Sequence, residues 1–123
     1  MTSPALHRVL VCGGRDFTDA NRIWSVLDHY LREADDFECL IQGEARGADR
    51  IAGEWADARS VRVLPFPADW NGLGNAAGAI RNAQMLREGR PTMVIAFPGG
   101  RGTADMVDRA KRAGVPVLEI SRG

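Results

Sequence analysis

Five short apolar runs alternate along the chain with stretches of helical spacing. The runs are Val9-Leu10-Val11-Cys12, Cys39-Leu40-Ile41, Val61-Arg62-Val63-Leu64, Met93-Val94-Ile95-Ala96-Phe97 and Val117-Leu118-Glu119-Ile120. The first and fourth are nearly unbroken in apolar side chains, the pattern of central strands in a parallel sheet covered on both faces. Between the runs, apolar residues recur at intervals of three and four. They form the stripes Ile23, Leu27, Tyr30, Leu31, Ala34; Ala48, Ile51, Ala52, Trp55; Ile80, Ala83, Leu86; and Thr103, Met106, Val107, Ala110. Asp19 is placed to cap the first helix, with Phe17 as a hydrophobic staple, while Gly114 and Pro116 close the last. Repeated strand, helix, strand predicts an α/β fold with a five-stranded parallel sheet flanked by helices and right-handed crossovers. The stretch from Pro65 to Ala77, rich in Pro, Gly and Asn, is predicted as a long irregular loop, and loops of that length in small domains usually carry function.

A chain of 123 residues holds one core, so residues 1–123 are expected to form a single domain. Sixteen Lys and Arg balance sixteen Asp and Glu. That leaves no global basic field, so duplex nucleic acid is not an expected partner. No apolar run approaches membrane-spanning length, and the first residues lack the apolar centre of a secretion signal. A cytoplasmic protein without a membrane partner is therefore expected. Cys12 and Cys39 each sit inside an apolar run and read as buried, reduced thiols. Neither has a second Cys or a His at ligand spacing, so no metal site is predicted.

In an open parallel sheet, ligands bind beyond the carboxyl ends of the strands, which directs attention to the segment after each run. After the fourth comes Pro98-Gly99-Gly100-Arg101-Gly102-Thr103, opening a helix. Glycines there bare the backbone, the first helical turn presents free N–H groups to an anion, Thr103 can cap or donate, and Arg101 adds charge. After the first run, Gly13, Gly14, Arg15 and Asp16 give a tight turn, a cation for a phosphate and an acceptor for a ribose hydroxyl. After the second, Gly43, Glu44, Arg46, Gly47 and Asp49 repeat the strand-to-helix junction, with Asp49 suited to complementing the helix dipole. The long loop contributes Asp69 and Trp70, an aromatic that can stack on a base. Arg81 and Asn82 enter the third helical stripe beside it. Trp24 and Trp55 lie on helical stripes and read as packing.

These segments, in this order, resemble the SLOG superfamily and within it the YspA-type branch of small stand-alone domains. The matching stretches are Val9 to Phe17, Gly43 to Asp49, Pro67 to Trp70, Ala77 to Asn82 and Pro98 to Asp105. The resemblance implies a Rossmann-like fold, a nucleotide or nucleotide-derived small-molecule ligand, and a homodimer. The wider superfamily includes phosphoribohydrolases of the LOG type, which cleave the N-glycosidic bond of a nucleoside monophosphate. They use an Arg on the helix before the glycine motif and a Glu three residues after its Thr. Arg81 matches the Arg. The Glu position is occupied by Met106, which holds no charge. Asp105 lies one residue earlier, rotated by about 100° on a helix. Other members, as parts of longer proteins, sense nucleotide signals or bind single-stranded DNA during uptake.

Three functions are consistent with these residues. The leading one is a binding module whose glycine turn cradles phosphate while Arg15, Arg46 and Arg81 neutralise charge and Asp16 or Asp69 meets the ribose. The second is a nucleotide hydrolase working with Arg81 and a carboxylate from Glu44, Asp69 or Asp105. The third is an interaction protein whose glycines only turn corners. No cofactor is specified, although Mg²⁺ can accompany a bound polyphosphate.

Overall fold

The computed structural model describes residues 7–33 and 37–121. Five parallel strands form one sheet in the order β3-β2-β1-β4-β5. They are β1 (His7–Cys12), β2 (Phe37–Gln42), β3 (Val63–Pro65), β4 (Met93–Ala96) and β5 (Val117–Glu119). Helices α1 (Ala20–Glu33), α2 (Ala48–Ala58), α3 (Trp70–Leu73), α4 (Ala77–Gln84) and α5 (Arg101–Arg112) connect them. The chain winds from β1 outward through β2 to β3, then crosses back to lay β4 on the other side of β1. Val9 pairs with Met93 and Cys12 with Ala96. The carboxyl ends of β1 and β4 therefore flank the topological switch point, the place where doubly wound sheets bind ligands.

The unbroken apolar runs are explained by two cores. Val9, Val11 and Leu40 point to the face covered by Ile23 and Leu27 of α1 and Ala52 and Trp55 of α2. Leu10, Cys39 and Ile41 point to the opposite face, against Met85 beyond α4 and Met106 and Ala110 of α5. Alternate residues serve alternate faces because the strand period is two. Each fully buried Leu or Ile contributes on the order of 2 kcal/mol. Cys12 and Cys39 are both free and buried, as expected.

The helix signals hold at both ends. Asp19 Oδ1 accepts from the Arg22 amide at 3.1 Å, and Phe17 and Ile23 share one core cluster, with Phe17 stacked on Phe97 at 5.8 Å. Gly114 takes φ 77° after α5, and the Val115 amide donates back to the Ala110 carbonyl at 2.9 Å. Trp55 is fully buried and Trp24 packs against the same cluster. Ala34 of the predicted first stripe lies outside the described residues.

Two expectations need correction. The stretch from Pro65 to Ala77 is not irregular throughout. It contains the one-turn α3 and a 3₁₀ turn over Gly74–Ala76 that runs directly into α4. The third stripe holds only in part, since Leu86 packs against the second core and Ile80 does not. Ile80 is 47% exposed, as is Leu73 at 44%, while Ala77, Asn82 and Met85 are buried. The helix turns Asn82 inward because that side chain finds hydrogen-bond partners on α5, and a five-residue π turn over Met85–Gly89 then resets the phase. Among the described residues, no helix is long and apolar enough to cross a membrane.

Candidate functional site

At the switch point, three strand-to-helix loops are knitted together by backbone contacts that only glycine permits. The Gly14 amide donates to the Pro98 carbonyl at 2.8 Å, tying the β1 loop to the β4 loop. The Gly14 carbonyl accepts from Ala48 at 3.3 Å, tying it to the start of α2. Gly47 takes φ 81°, and a Cβ there would strike the Gly14 and Arg15 backbone. A Cβ on Gly99 would strike Thr103 and the Gly14 amide. Not all glycines of the 98–103 run, then, bare the backbone for a ligand: Gly99 is consumed by the protein's own packing. Gly100 and Gly102 meet nothing within 4 Å and are exposed. Between and beyond them, the amides of Arg101, Gly102 and Thr103 form the first turn of α5, where helical N–H groups have no intrahelical acceptor and the dipole favours an anion.

A cavity of about 340 Å³ opens onto this turn. Gly13, Gly14 and Arg15 line one side, Gly100, Arg101, Gly102 and Thr103 another. Asp49, Trp70, Arg81 and Asn82 complete it. A second cavity of about 320 Å³ adjoins it and shares Arg15, Ala45, Trp70 and Arg81 as a common wall, adding Gly43, Glu44 and Arg46. The Arg15 guanidinium lies over the Trp70 ring at 5.0 Å. Trp70 is 47% exposed, so it is a rim aromatic rather than a piece of the core edge.

Arg81 is fixed in this wall by two hydrogen bonds. Its Nη1 donates to the Gly43 carbonyl at 2.7 Å and its Nε to Asn82 Oδ1 at 3.1 Å. The Gly43 amide in turn donates to Asp49 Oδ2 at 3.2 Å, and the Ala45 amide donates to the same oxygen at 3.3 Å. Asp49 is only 5% exposed. Burial pushes its carboxyl up to about 6, against the opposing pull of Arg81 and of the Ala45 and Gly43 amides. Burial likewise lowers the pKa of Arg81, offset by Asp49. The expected dipole role of Asp49 is thus overtaken by a more specific one, in which it bends the β2 loop into the shape that receives Arg81.

Several candidates stand outside both cavities. Asp69 does not turn inward, since its Oδ1 caps α3 by accepting from Gly72 at 2.9 Å. Asp16 is fully on the surface, 3.7 Å from Arg46. Asp105 is held away from the mouth by Asn82 Nδ2 at 3.0 Å and Arg109 Nε at 2.8 Å. Burial pushes its carboxyl up, but those two hydrogen bonds together with the charges of Arg109 and Arg112 hold the group below its ordinary range. Asn82 Nδ2 also donates to the Gly102 carbonyl at 3.1 Å, so Asp105 and Asn82 together pin the start of α5. Met106 is fully buried. Pro98, Gly99 and Gly47 shape the loops from behind. Glu44 lines the second cavity with a left-handed backbone, φ 57°.

Sequence reasoning missed Cys12, Gly78 and Met85, which also line the first cavity. The position of Cys12 as the last residue of the first apolar run was the available signal. Its thiol is pushed up to about 12, first by burial and then by Asp49, and so stays protonated. Among the described residues, no three His, Cys, Asp or Glu side chains gather in a way that could hold a metal ion.

A doubly wound parallel sheet with bared helix amides at its switch point defines a Rossmann-like α/β protein. Residues 7–72 match the family described as YspA, cpYpsA-related SLOG. Gene 61 protein of Mycobacterium phage D29 is 37% identical over 122 residues, spanning 94% of this chain and 97% of the phage protein. The chain belongs to the YspA, cpYpsA-related SLOG family. The family match ends before Arg81 and the glycine run, so the assignment of those residues to the site rests on the cavity geometry. In fold the chain is similar to the X-ray structure of DNA processing protein A (DprA) from Streptococcus pneumoniae. The two share a TM-score of 0.77 and 17% identity over 96% of this chain and 51% of that one. The chain thus spans about half the length of DprA.

Proposed function

We propose that residues 1–123 act as one unit that binds a nucleotide or nucleotide-derived ligand. The observation that carries this is convergence: the free amides that open α5, the cations Arg15, Arg81 and Arg101, and the rim aromatic Trp70 all line one cavity at the switch point. In this reading a phosphate rests on the amides of Arg101, Gly102 and Thr103. Arg81, preset by Gly43 and Asn82, supplies a fixed fork of donors, and little ordering cost remains when an anion arrives. The base lies on Trp70. Asp49 is the one carboxylate in the lining of this cavity, which Asp16 and Asp69 do not reach.

Binding without glycosidic cleavage is the better supported form of this reading. The carboxylate expected three residues after Thr103 is the buried Met106, and Asp105 is committed to Asn82 and Arg109. Isothermal titration against nucleoside mono-, di- and triphosphates, cyclic nucleotides and short oligonucleotides tests the proposal. Oligonucleotides belong in that panel because DprA, the similar fold, is by name a DNA processing protein. Micromolar or tighter binding of at least one compound is expected. Silence across the panel overturns the proposal, and base release from a nucleoside monophosphate overturns its non-hydrolytic form.

A further inference from the structure

The phosphate cradle and Trp70 account for the first cavity and leave the second unexplained. That second cavity is nearly as large as the first, shares a wall with it, and is lined by three arginines, Arg15, Arg46 and Arg81. Arg81 spends two of its N–H donors on Gly43 and Asn82, leaving three of five without a partner among the described residues. Arg46 touches Asp16 at 3.7 Å, with both side chains largely in solvent, a contact that costs little to give up. Glu44, the one carboxylate in the lining, is an acceptor when ionised and suits a sugar hydroxyl, while the three arginines outnumber it and leave the cavity cationic.

We propose that this second cavity is a second anion subsite, an inference that rests on the nucleotide reading of the first. The ligand then carries phosphates on opposite sides of a nucleoside, as in a nucleoside 3′,5′-bisphosphate or one step of a dinucleotide. Its 5′ phosphate sits on the opening turn of α5, its nucleoside spans the Arg15–Trp70 wall, and its second phosphate meets Arg46 and the free edge of Arg81. A pyrophosphate does not satisfy this arrangement. Its two phosphates share one bridging oxygen, whereas the α5 turn lines only the first cavity and Arg46 only the second.

Titration of matched 5′-monophosphates, 5′-diphosphates and 3′,5′-bisphosphates of the four common nucleosides, at one salt concentration, tests the assignment. The expected result is a bisphosphate that binds about ten-fold or more tighter than its monophosphate, a gain the 5′-diphosphate does not match. In Arg46→Ala that ratio falls toward one. A wild-type ratio near one overturns the second subsite while leaving the nucleotide reading intact. An equal gain for the 5′-diphosphate, or a ratio unchanged in Arg46→Ala, also overturns it. No binding of any of these compounds overturns the second subsite, and silence that extends to the cyclic nucleotides and oligonucleotides removes the nucleotide reading as well.

Discussion

The Arg81 guanidinium occupies the space in which any other residue at position 43 would place its Cβ, and Nη1 donates to the Gly43 carbonyl at 2.7 Å. Gly43 is therefore needed for the position of a side chain rather than for its own backbone angle. Gly43→Ala is expected to push Arg81 out of the shared wall and weaken nucleotide binding by about ten-fold, with a stability change under about 1 kcal/mol. Gly47→Ala is the opposite case. It combines φ 81° with a collision against the Gly14 and Arg15 backbone, which cannot yield as a side-chain tip can. A loss of about 2 kcal/mol or more in urea unfolding is expected. Equal effects of the two alanines on stability would refute the distinction.

Asp49 gives stability a pH dependence. Its carboxyl titrates near 3.8 when unfolded and at about 6 when folded. Below the lower value both states hold the proton. Between the two, the native state keeps a proton that the unfolded chain has released, so stability falls as pH rises and levels off above about 6. The change attributable to this group is on the order of 2–3 kcal/mol. Urea unfolding of wild type and Asp49→Asn from pH 4 to pH 7 checks it, and parallel profiles for the two proteins would show that Asp49 does not titrate in this window.

If the proposed function holds, Trp70 is expected to contribute more to binding than to the fold. Nearly half exposed and covered by Arg15 at 5.0 Å, it has little core contact to lose. Trp70→Ala is expected to cost about 1–3 kcal/mol of nucleotide affinity and less than about 1 kcal/mol of stability. Calorimetric titration and thermal melting read the two effects separately. A large fall in melting temperature with unchanged affinity would make Trp70 a structural residue.

Asp105 is a positioning residue. It orients Asn82, whose Nδ2 reaches the Gly102 carbonyl at the entrance of α5. Asp105→Ala should destabilise the protein by about 1–2 kcal/mol and weaken binding several-fold, because Asn82 loses its charged partner. Asp105→Asn should recover part of both. A fall in turnover without a fall in affinity would instead point to chemistry at this carboxylate.

Much of this architecture is legible along the chain. Val9-Leu10-Val11-Cys12 and Met93-Val94-Ile95-Ala96 are apolar on consecutive positions because each feeds two cores, and the strand ends locate the edge where the loops gather. The glycine turns after β1, β2 and β4 mark the loops that meet there. Individual side-chain directions are less legible. Ile80 looks like a core position by spacing, yet it is Asn82 that turns inward, because its partners Gly102 and Asp105 lie twenty or more residues away. Asp69 has the chemistry of a ribose contact and is used as a helix cap, a local hydrogen bond that competes for the same oxygen.

Periodicity and composition alone determined five parallel strands, their helical crossovers and the loops that gather at the carboxyl edge. Local spacing is enough for that, since burial on one face or two leaves its period in the sequence. Tertiary structure alone decided which glycines serve packing and which stay open, that Cys12 and Met85 line the cavity, and that Asp49, Gly43 and Arg81 form one chain of contacts. Those outcomes depend on how closely separate loops approach one another, and no local pattern encodes a distance between segments that meet only when the sheet is complete.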